Sequence, residues 1–167
     1  KWISLVFLCF FSSCYSFRGI SIDPTINTFS IEPIVDHTFA APVNYPLDFA
    51  DELNSKIRKE SRLISDSKNP DLIFKLGIRE FAVSPQAPIA GSFAALNRLN
   101  VTIEVESVNT KFEKQNWNQR FSYYEDFDAA TNFNSVQDEL LKKINKKLLD
   151  DIFNRAFTNW STLFYSP

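Results

Sequence analysis

The sequence predicts an α+β fold, a two-layer sandwich in the order β-α-β-β-β-α, with about four strands in one mixed sheet and two helices on one of its faces. Three observations carry this expectation. Two segments place apolar residues at helical spacing, so each is a helix with one buried side. Others alternate apolar and polar residues with period two, as strands with one wet face do. Finally, a helix separates the first strand from the second, which calls for a parallel crossover. The later strands are joined without helices, which calls for antiparallel hairpins.

Residues 28–35 read as the first strand, with Phe29 and Ile31 alternating with Ser30 and Glu32. Residues 36–46 are a loop containing Pro42, Pro46 and the sole histidine, His37. Residues 47–65 are the first helix, its apolar stripe made of Phe49, Ala50, Leu53, Ile57 and Ile64. Asp48, Asp51 and Glu52 come early in it and Lys56, Arg58, Lys59 and Arg62 late, which suits the helix dipole. Residues 71–84 are the second strand. Leu72, Phe74, Leu76 and Ile78 share one face, and then the parity flips to Phe81 and Val83, the mark of a bulge or of a strand that leaves its first sheet face. Residues 85–93 are a loop and 94–109 the third strand, with Leu99, Val101, Ile103 and Val105 opposite Asn100, Thr102, Glu104 and Glu106. After a polar turn at 110–116, residues 117–127 form the fourth strand, with Trp117, Phe121, Tyr123 and Phe127 on one parity. Residues 135–160 are the last helix. Ser135 with Asp138 reads as its capping box, and Val136, Leu140, Leu141, Ile144, Leu148, Ile152, Phe153, Ala156, Phe157 and Trp160 make a broad apolar face.

Ahead of this domain, Lys1 is followed by an apolar run through Phe11, then Ser12, Ser13 and Cys14. The run is shorter than the roughly 20 residues needed to span a bilayer. It is the charged-then-apolar pattern of a secretory signal. Small residues followed by cysteine resemble a bacterial lipobox, with Phe11 where leucine is usual. The expected organisation is the C-terminal part of a lipoprotein signal at 1–13, a lipidated tether at 14–27 and one domain at 28–167. The lipobox resemblance implies a thioether-linked diacylglyceryl group on Cys14, cleavage before it and N-acylation of the new terminus. Multiple acyl chains anchor a domain to a membrane surface, whereas one binds it only marginally. The alternative is an ordinary signal peptide with Cys14 a bystander. No methionine is present, which places the start codon upstream of Lys1 or implies trimming.

The formal net charge of −2 argues against nucleic acid as a partner. Both cysteines, Cys9 and Cys14, precede the domain, so no disulfide or cysteine metal site is expected in it. His37 has no second histidine with which to hold zinc and no nucleophile motif near it, so it reads as a loop residue. Glu104 and Glu106 are two carboxylates on one strand face, a pair of the kind a glycosidase uses, but acids on the wet face of an exposed strand are what solubility alone produces. No catalytic residue, metal site or cofactor is expected.

Residues 81–97 contain no charged side chain, although Glu80 and Arg98 bracket them. Loop tips face water and normally carry charge. An uncharged tip suggests a surface covered by a partner or lipid, and Phe81, Val83, Ile89 and Phe93 are the residues expected to make that contact. The competing reading is a loop folded back on its own sheet. On the last helix Lys142, Lys143, Lys146 and Lys147 cluster, but acids stand four residues from each: Asp138, Glu139, Asp150 and Asp151. A self-neutralised solvated face therefore competes with a phosphate-binding one.

Several segments resemble the lipopolysaccharide-assembly lipoproteins of the LptE family, in their Bacteroidota branch. They are Cys14-Tyr15-Ser16-Phe17 with Gly19, Thr28-Phe29-Ser30-Ile31, residues 77–85 and Ala94-Ala95-Leu96-Asn97-Arg98-Leu99. Further along come Phe121-Ser122 with Asp126-Phe127-Asp128, Val136-Gln137-Asp138-Glu139-Leu140, and Asp151-Ile152-Phe153-Asn154 with Asn159-Trp160. The set in order carries the resemblance, since none of the segments is a catalytic signature. It implies a non-enzymatic outer-membrane lipoprotein that plugs and stabilises an LptD-type β-barrel and assists delivery of lipopolysaccharide to the cell surface. The implied partners are that barrel, lipopolysaccharide and, through the anchor, the inner leaflet of the outer membrane. No contact residue is carried over. Arg98, Lys142, Lys143 and Lys146 are the expected cations for lipid A phosphates, and the uncharged hairpin is the expected barrel contact. Tyr15 stands where an inner-membrane retention signal resembling that of enterobacteria has Asp. Residues 15–18 also lack the acidic cluster that resembles a surface-export tag, so the domain is expected to face the periplasm. A scaffold or pilotin lipoprotein of another envelope machine is the alternative, and a lipid-anchored glycan hydrolase a more distant one.

Overall fold

The computed structural model describes residues 22–87 and 95–158. Cys14, Ile89, Phe93 and Trp160 lie outside the described residues. The elements are β1 (Thr28–Ile31), β2 (Val35–Asp36), α1 (Tyr45–Glu60), β3 (Ile64–Ser65), β4 (Leu72–Gln86), β5 (Leu96–Asn109), β6 (Trp117–Asp128) and α2 (Phe133–Phe157), with a 3-10 turn at Glu113–Gln115. The α+β sandwich is as expected, but the sheet has six strands, ordered β3-β1-β4-β5-β6, with β2 also on β4. β1 runs parallel to β4, while β4, β5 and β6 form an antiparallel meander.

The two additional strands are short and have local causes. A single strand was expected over 28–35. Pro33 has no N–H to give the ladder, and the chain leaves β4 after Ile31 and returns to it at Val35. Ile31 faces Phe74 and Val35 faces Gly77, so the first path spends one more residue than β4 does over that interval. α1 ends at Glu60 rather than at residue 65. Ser61 turns extended there, and its hydroxyl donates to the Ile57 carbonyl at 2.6 Å. Ile64, expected in the helical stripe, instead pairs with β1 and is exposed. Leu63 takes its place in the core.

The core lies between the sheet and the two helices. α1 buries Tyr45, Phe49, Leu53 and Ile57, one residue per turn. α2 buries a wider band from Leu140 to Phe157, including Ile144, Leu148, Ile152 and Phe153. These pack on Phe74, Ile78, Leu99, Val101, Ile103 and Val105. The register of β4 on β5 shifts between Ile78 and Glu80, so the bulge falls where the parity of the sequence flips. A buried polar bridge joins the helices. The Tyr45 hydroxyl donates to Asn145 Oδ1 at 2.8 Å, and Asn145 Nδ2 donates to Glu52 at 3.3 Å. Burial, reinforced by the Glu52 charge, pushes the Tyr45 phenol pKa up.

α2 begins at Phe133, not at Ser135. Asn132 is extended and its side chain accepts from the Asn134 N–H at 2.9 Å, which makes it the cap. The Phe133 ring packs on Phe127 at 5.8 Å, securing the extra residues, and Ser135 donates back to the Asn132 carbonyl.

Candidate functional site

The β4–β5 and β6–α2 connections leave from one end of the sheet, and the β2–α1 loop opens part-way along it. The loop from β2 enters α1 at Tyr45, whose ring packs edge-on against Phe81 of β4 at 5.7 Å. β4 and β5 remain paired up to Gln86 and Leu96. Leu96 also faces Asp128 of β6, and the Ala129 N–H donates to the Ala95 carbonyl at 3.0 Å where the chain turns into α2. In sequence, residues 38–47, 81–97 and 129–137 carry no charged side chain. The end where β4, β5 and β6 stop is thus a pole whose two connections carry no charge in sequence, and the β2–α1 loop beside Phe81 is likewise uncharged.

The opposite pole is charged. Its connections contain Asp23, Arg62, Asp66, Lys68, Asp71, Lys111, Glu113 and Lys114. The start of the domain is tied down here. Arg62 donates to Asn27 Oδ1 at 2.7 Å and to the Asp23 carbonyl at 2.6 Å. Asp71 accepts from the Asn27 and Thr28 N–H groups at 2.7 and 3.1 Å and pairs with Lys111 at 2.7 Å. Partial burial opposes the charge on Asp71, but Lys111 and the two N–H groups outweigh it and hold its pKa down at about 2.

The residues expected to contact a partner are divided by the fold. Phe81 is only 8 % exposed, because the bulge returns it to the covered face beneath Tyr45, so the domain itself buries it. It is therefore corrected from contact residue to core. Val83, two residues on, is 42 % exposed. The surface missed in the sequence reading is the β2–α1 loop, where Phe39, Val43 and Leu47 are exposed apolar side chains. Its signal was present in the charge-free run 38–47.

The expected cations also separate. Arg98 makes a two-pronged bond to Asp126 at 2.6 and 2.8 Å and stacks over Tyr124 at 3.6 Å, so its guanidinium is already engaged. Lys143 pairs with Glu139 at 2.8 Å. Asp150, the expected partner of Lys146 within α2, instead reaches across to Lys56 of α1 at 2.7 Å. Lys142 and Lys146 are left without an ion-pair partner among the described residues. With Lys56, Lys59 and Leu149 they line an open groove of about 450 Å³ between the helices. Lys59, from α1, has no ion-pair partner among the described residues either and was missed, because sequence spacing within α2 could not reveal it. Ser55, Glu52, Glu60 and Asp150 complete the lining, and Lys56 holds the last two.

On the uncovered face of the sheet, His37 lies over Gly77, where a Cβ would come within 3.1 Å of its ring. Glu104 and Glu106 border the same depression. Glu104 is bound by Arg79 and Arg120, and Glu106 by Lys75. The Arg79 bond holds the Glu104 pKa below the usual range, the reverse of what a general acid needs. Among the described residues no group of His, Cys, Asp and Glu is arranged to hold a metal ion, and no helix is long and apolar enough to cross a membrane.

Solved structures with this fold come from several bacteria. A hypothetical protein of Chlamydia trachomatis superposes with a TM-score of 0.54 at 9 % identity, over 80 % of this chain and 99 % of that one. A minor lipoprotein of Acinetobacter baumannii gives 0.51 at 12 % identity, over 78 % and 92 %. A protein of Xanthomonas campestris gives 0.52 at 7 %, over 81 % and 90 %. At these identities the likeness is one of fold. No curated protein matches the sequence. The family model for LptE, lipopolysaccharide-assembly, matches residues 26–156, from the segment before β1 almost to the end of α2. The chain therefore belongs to the LptE family of lipopolysaccharide-assembly proteins.

Proposed function

We propose that this chain is a non-enzymatic lipoprotein of the outer membrane, anchored through Cys14 and facing the periplasm. In this reading it assists lipopolysaccharide assembly by plugging and stabilising an LptD-type β-barrel. Family membership supports the lipopolysaccharide role. The observation that carries the barrel contact is the meeting of two charge-free connections, β4–β5 and β6–α2, at one pole, while the start of the domain is tied down at the other. Depletion of charge marks the centre of protein interfaces. The anchor would hold the charged pole, leaving the charge-free pole, with Val83, to meet the barrel; Ile89 and Phe93, in the same uncharged run of sequence, are proposed to share that contact. The lysines of the interhelix groove, Lys59, Lys142 and Lys146, are the cations left to meet lipid A phosphates as point charges.

Co-purification of the full-length chain with the LptD-type barrel of the same cell tests the barrel contact. The wild type should retain the barrel. Ile89→Asp with Phe93→Asp should lose it while melting within a few degrees of wild type, since charge placed in a desolvated contact is costly. If the double variant folds and keeps the barrel, the hairpin is not the contact. For the anchor, Cys14→Ala should abolish metabolic labelling with a palmitate analogue, and equal labelling would rule the anchor out.

A further inference from the structure

We propose that the β2–α1 loop is a preformed docking knob whose Phe39 ring enters an uncharged pocket on the barrel partner. This rests on the barrel reading above and adds a second, independent contact to it. Phe39 is 93 % exposed, and Val43 and Leu47 are 95 % and 65 % exposed. Phe39 also has φ 56°, the one positive φ at a non-glycine among the described residues. That left-handed conformation suits glycine or asparagine, and a phenylalanine there is disfavoured. A disfavoured backbone beneath a ring that is almost wholly in water contributes nothing to the fold of the domain. Glycine or asparagine would make the same turn better.

The loop is held, not loose. The Asp36 carboxylate accepts from the Thr38 N–H at 2.8 Å and from the Thr38 hydroxyl at 2.7 Å. Thr38 Oγ1 accepts from the Ala40 N–H at 3.1 Å. Before the knob, the His37 N–H donates to the Ile78 carbonyl at 3.1 Å, and after it the Tyr45 N–H donates to the Pro42 carbonyl at 2.9 Å. An apolar residue presented on an ordered loop binds with less entropy lost than one on a free loop.

The chemistry of the knob selects its occupant. An apolar knob that sits on a membrane is accompanied by lysine or arginine to meet lipid phosphates. Residues 38–47 contain neither. The unpaired lysines lie in the interhelix groove instead. An aromatic surrounded by aliphatic and neutral polar residues is the composition of an interface anchor on protein.

Phe39→Gly and Phe39→Asn test this, because both residues accept the left-handed backbone. In the full-length lipoprotein co-expressed with its LptD-type barrel, both variants should melt at or above the wild-type temperature. Both should weaken barrel binding by roughly tenfold or more, the effect of removing an interface anchor. Benzoylphenylalanine at position 39 should cross-link to the barrel. If the wild type holds the barrel and both variants hold it equally, the knob is refuted while the barrel reading stands. If the variants melt many degrees lower, the ring is structural and the inference fails. If they keep the barrel but, in a Cys14→Ala background without acyl chains, lose the binding to vesicles of phosphatidylethanolamine and phosphatidylglycerol that the Phe39 form shows, the occupant is lipid and the inference is wrong. If the wild type holds no barrel, the parent reading falls and this one with it.

Discussion

The two poles of the domain solve the problem of ending a sheet in opposite ways. At the charged pole each connection is stitched to another by ionic or side-chain hydrogen bonds, with Arg62, Asp71 and Lys111 as the hubs. At the charge-free pole the connections are joined by a backbone bond, Ala129 to Ala95, and by ring packing, as in Phe133 on Phe127. The β2–α1 loop, also uncharged, presents Phe39, Val43 and Leu47, which bury little within the domain. One pole spends its side chains on folding and the other leaves them for something else. The difference separates residues needed for stability from residues free to serve recognition.

The contrast makes graded predictions. The largest effect belongs to Phe81→Ala, since Phe81 is the buried prop beneath the charge-free pole. Removing a buried phenylalanine should cost about 3–5 kcal/mol, read by chemical denaturation. A loss below about 1 kcal/mol would mean that Phe81 is a surface residue after all. Next is the helix bridge: Asn145→Leu leaves the buried Tyr45 hydroxyl without its acceptor and should cost about 1–3 kcal/mol.

At the charged pole, Asp71→Asn should cost about 1–2 kcal/mol at neutral pH, after allowance for solvent screening. The pH dependence follows from the depressed pKa. The carboxylate is stabilising above its unfolded value of 3.8, and that contribution is lost as pH falls through the folded value of about 2. Wild-type stability should therefore decline between about pH 4 and pH 2, and the Asn variant should decline less over that window. Equal slopes would remove Asp71 as a hub.

The smallest effect is expected in the exposed, uncharged β2–α1 loop and the first turn of α1. Val43→Ser with Leu47→Ser should change stability by no more than about 0.5 kcal/mol, as surface substitutions do. A large loss on melting would show that these side chains belong to the fold, and the contrast between the poles would collapse.

Much of the architecture was legible one segment at a time. The apolar alternation of β5 and the once-per-turn stripe of α1 are direct consequences of strand and helix geometry. The parity flip before Phe81 announced the bulge, because a single inserted residue moves every later side chain to the other face. What failed did so through competition between neighbours. Ile64 continues the spacing of Ile57, but Ser61 had already closed the helix. Asn132 and Ser135 both resemble caps, and the choice went to Asn132, with Phe133 packed on Phe127.

The sequence by itself determined the elements, the composition of each connection and the absence of charge from three of them, because these depend on residues close together along the chain. Only the tertiary structure decided that two of those connections share a pole while the third opens part-way along the sheet, since this depends on strand order and register. It also decided which lysines are unpaired. Counting along α2 assigns Asp150 to Lys146, but α1 packs close enough for Lys56 to take it, which leaves Lys146 facing Lys59 across a groove that neither helix contains alone. Charges pair with whatever is nearest in space, and helix packing sets that distance.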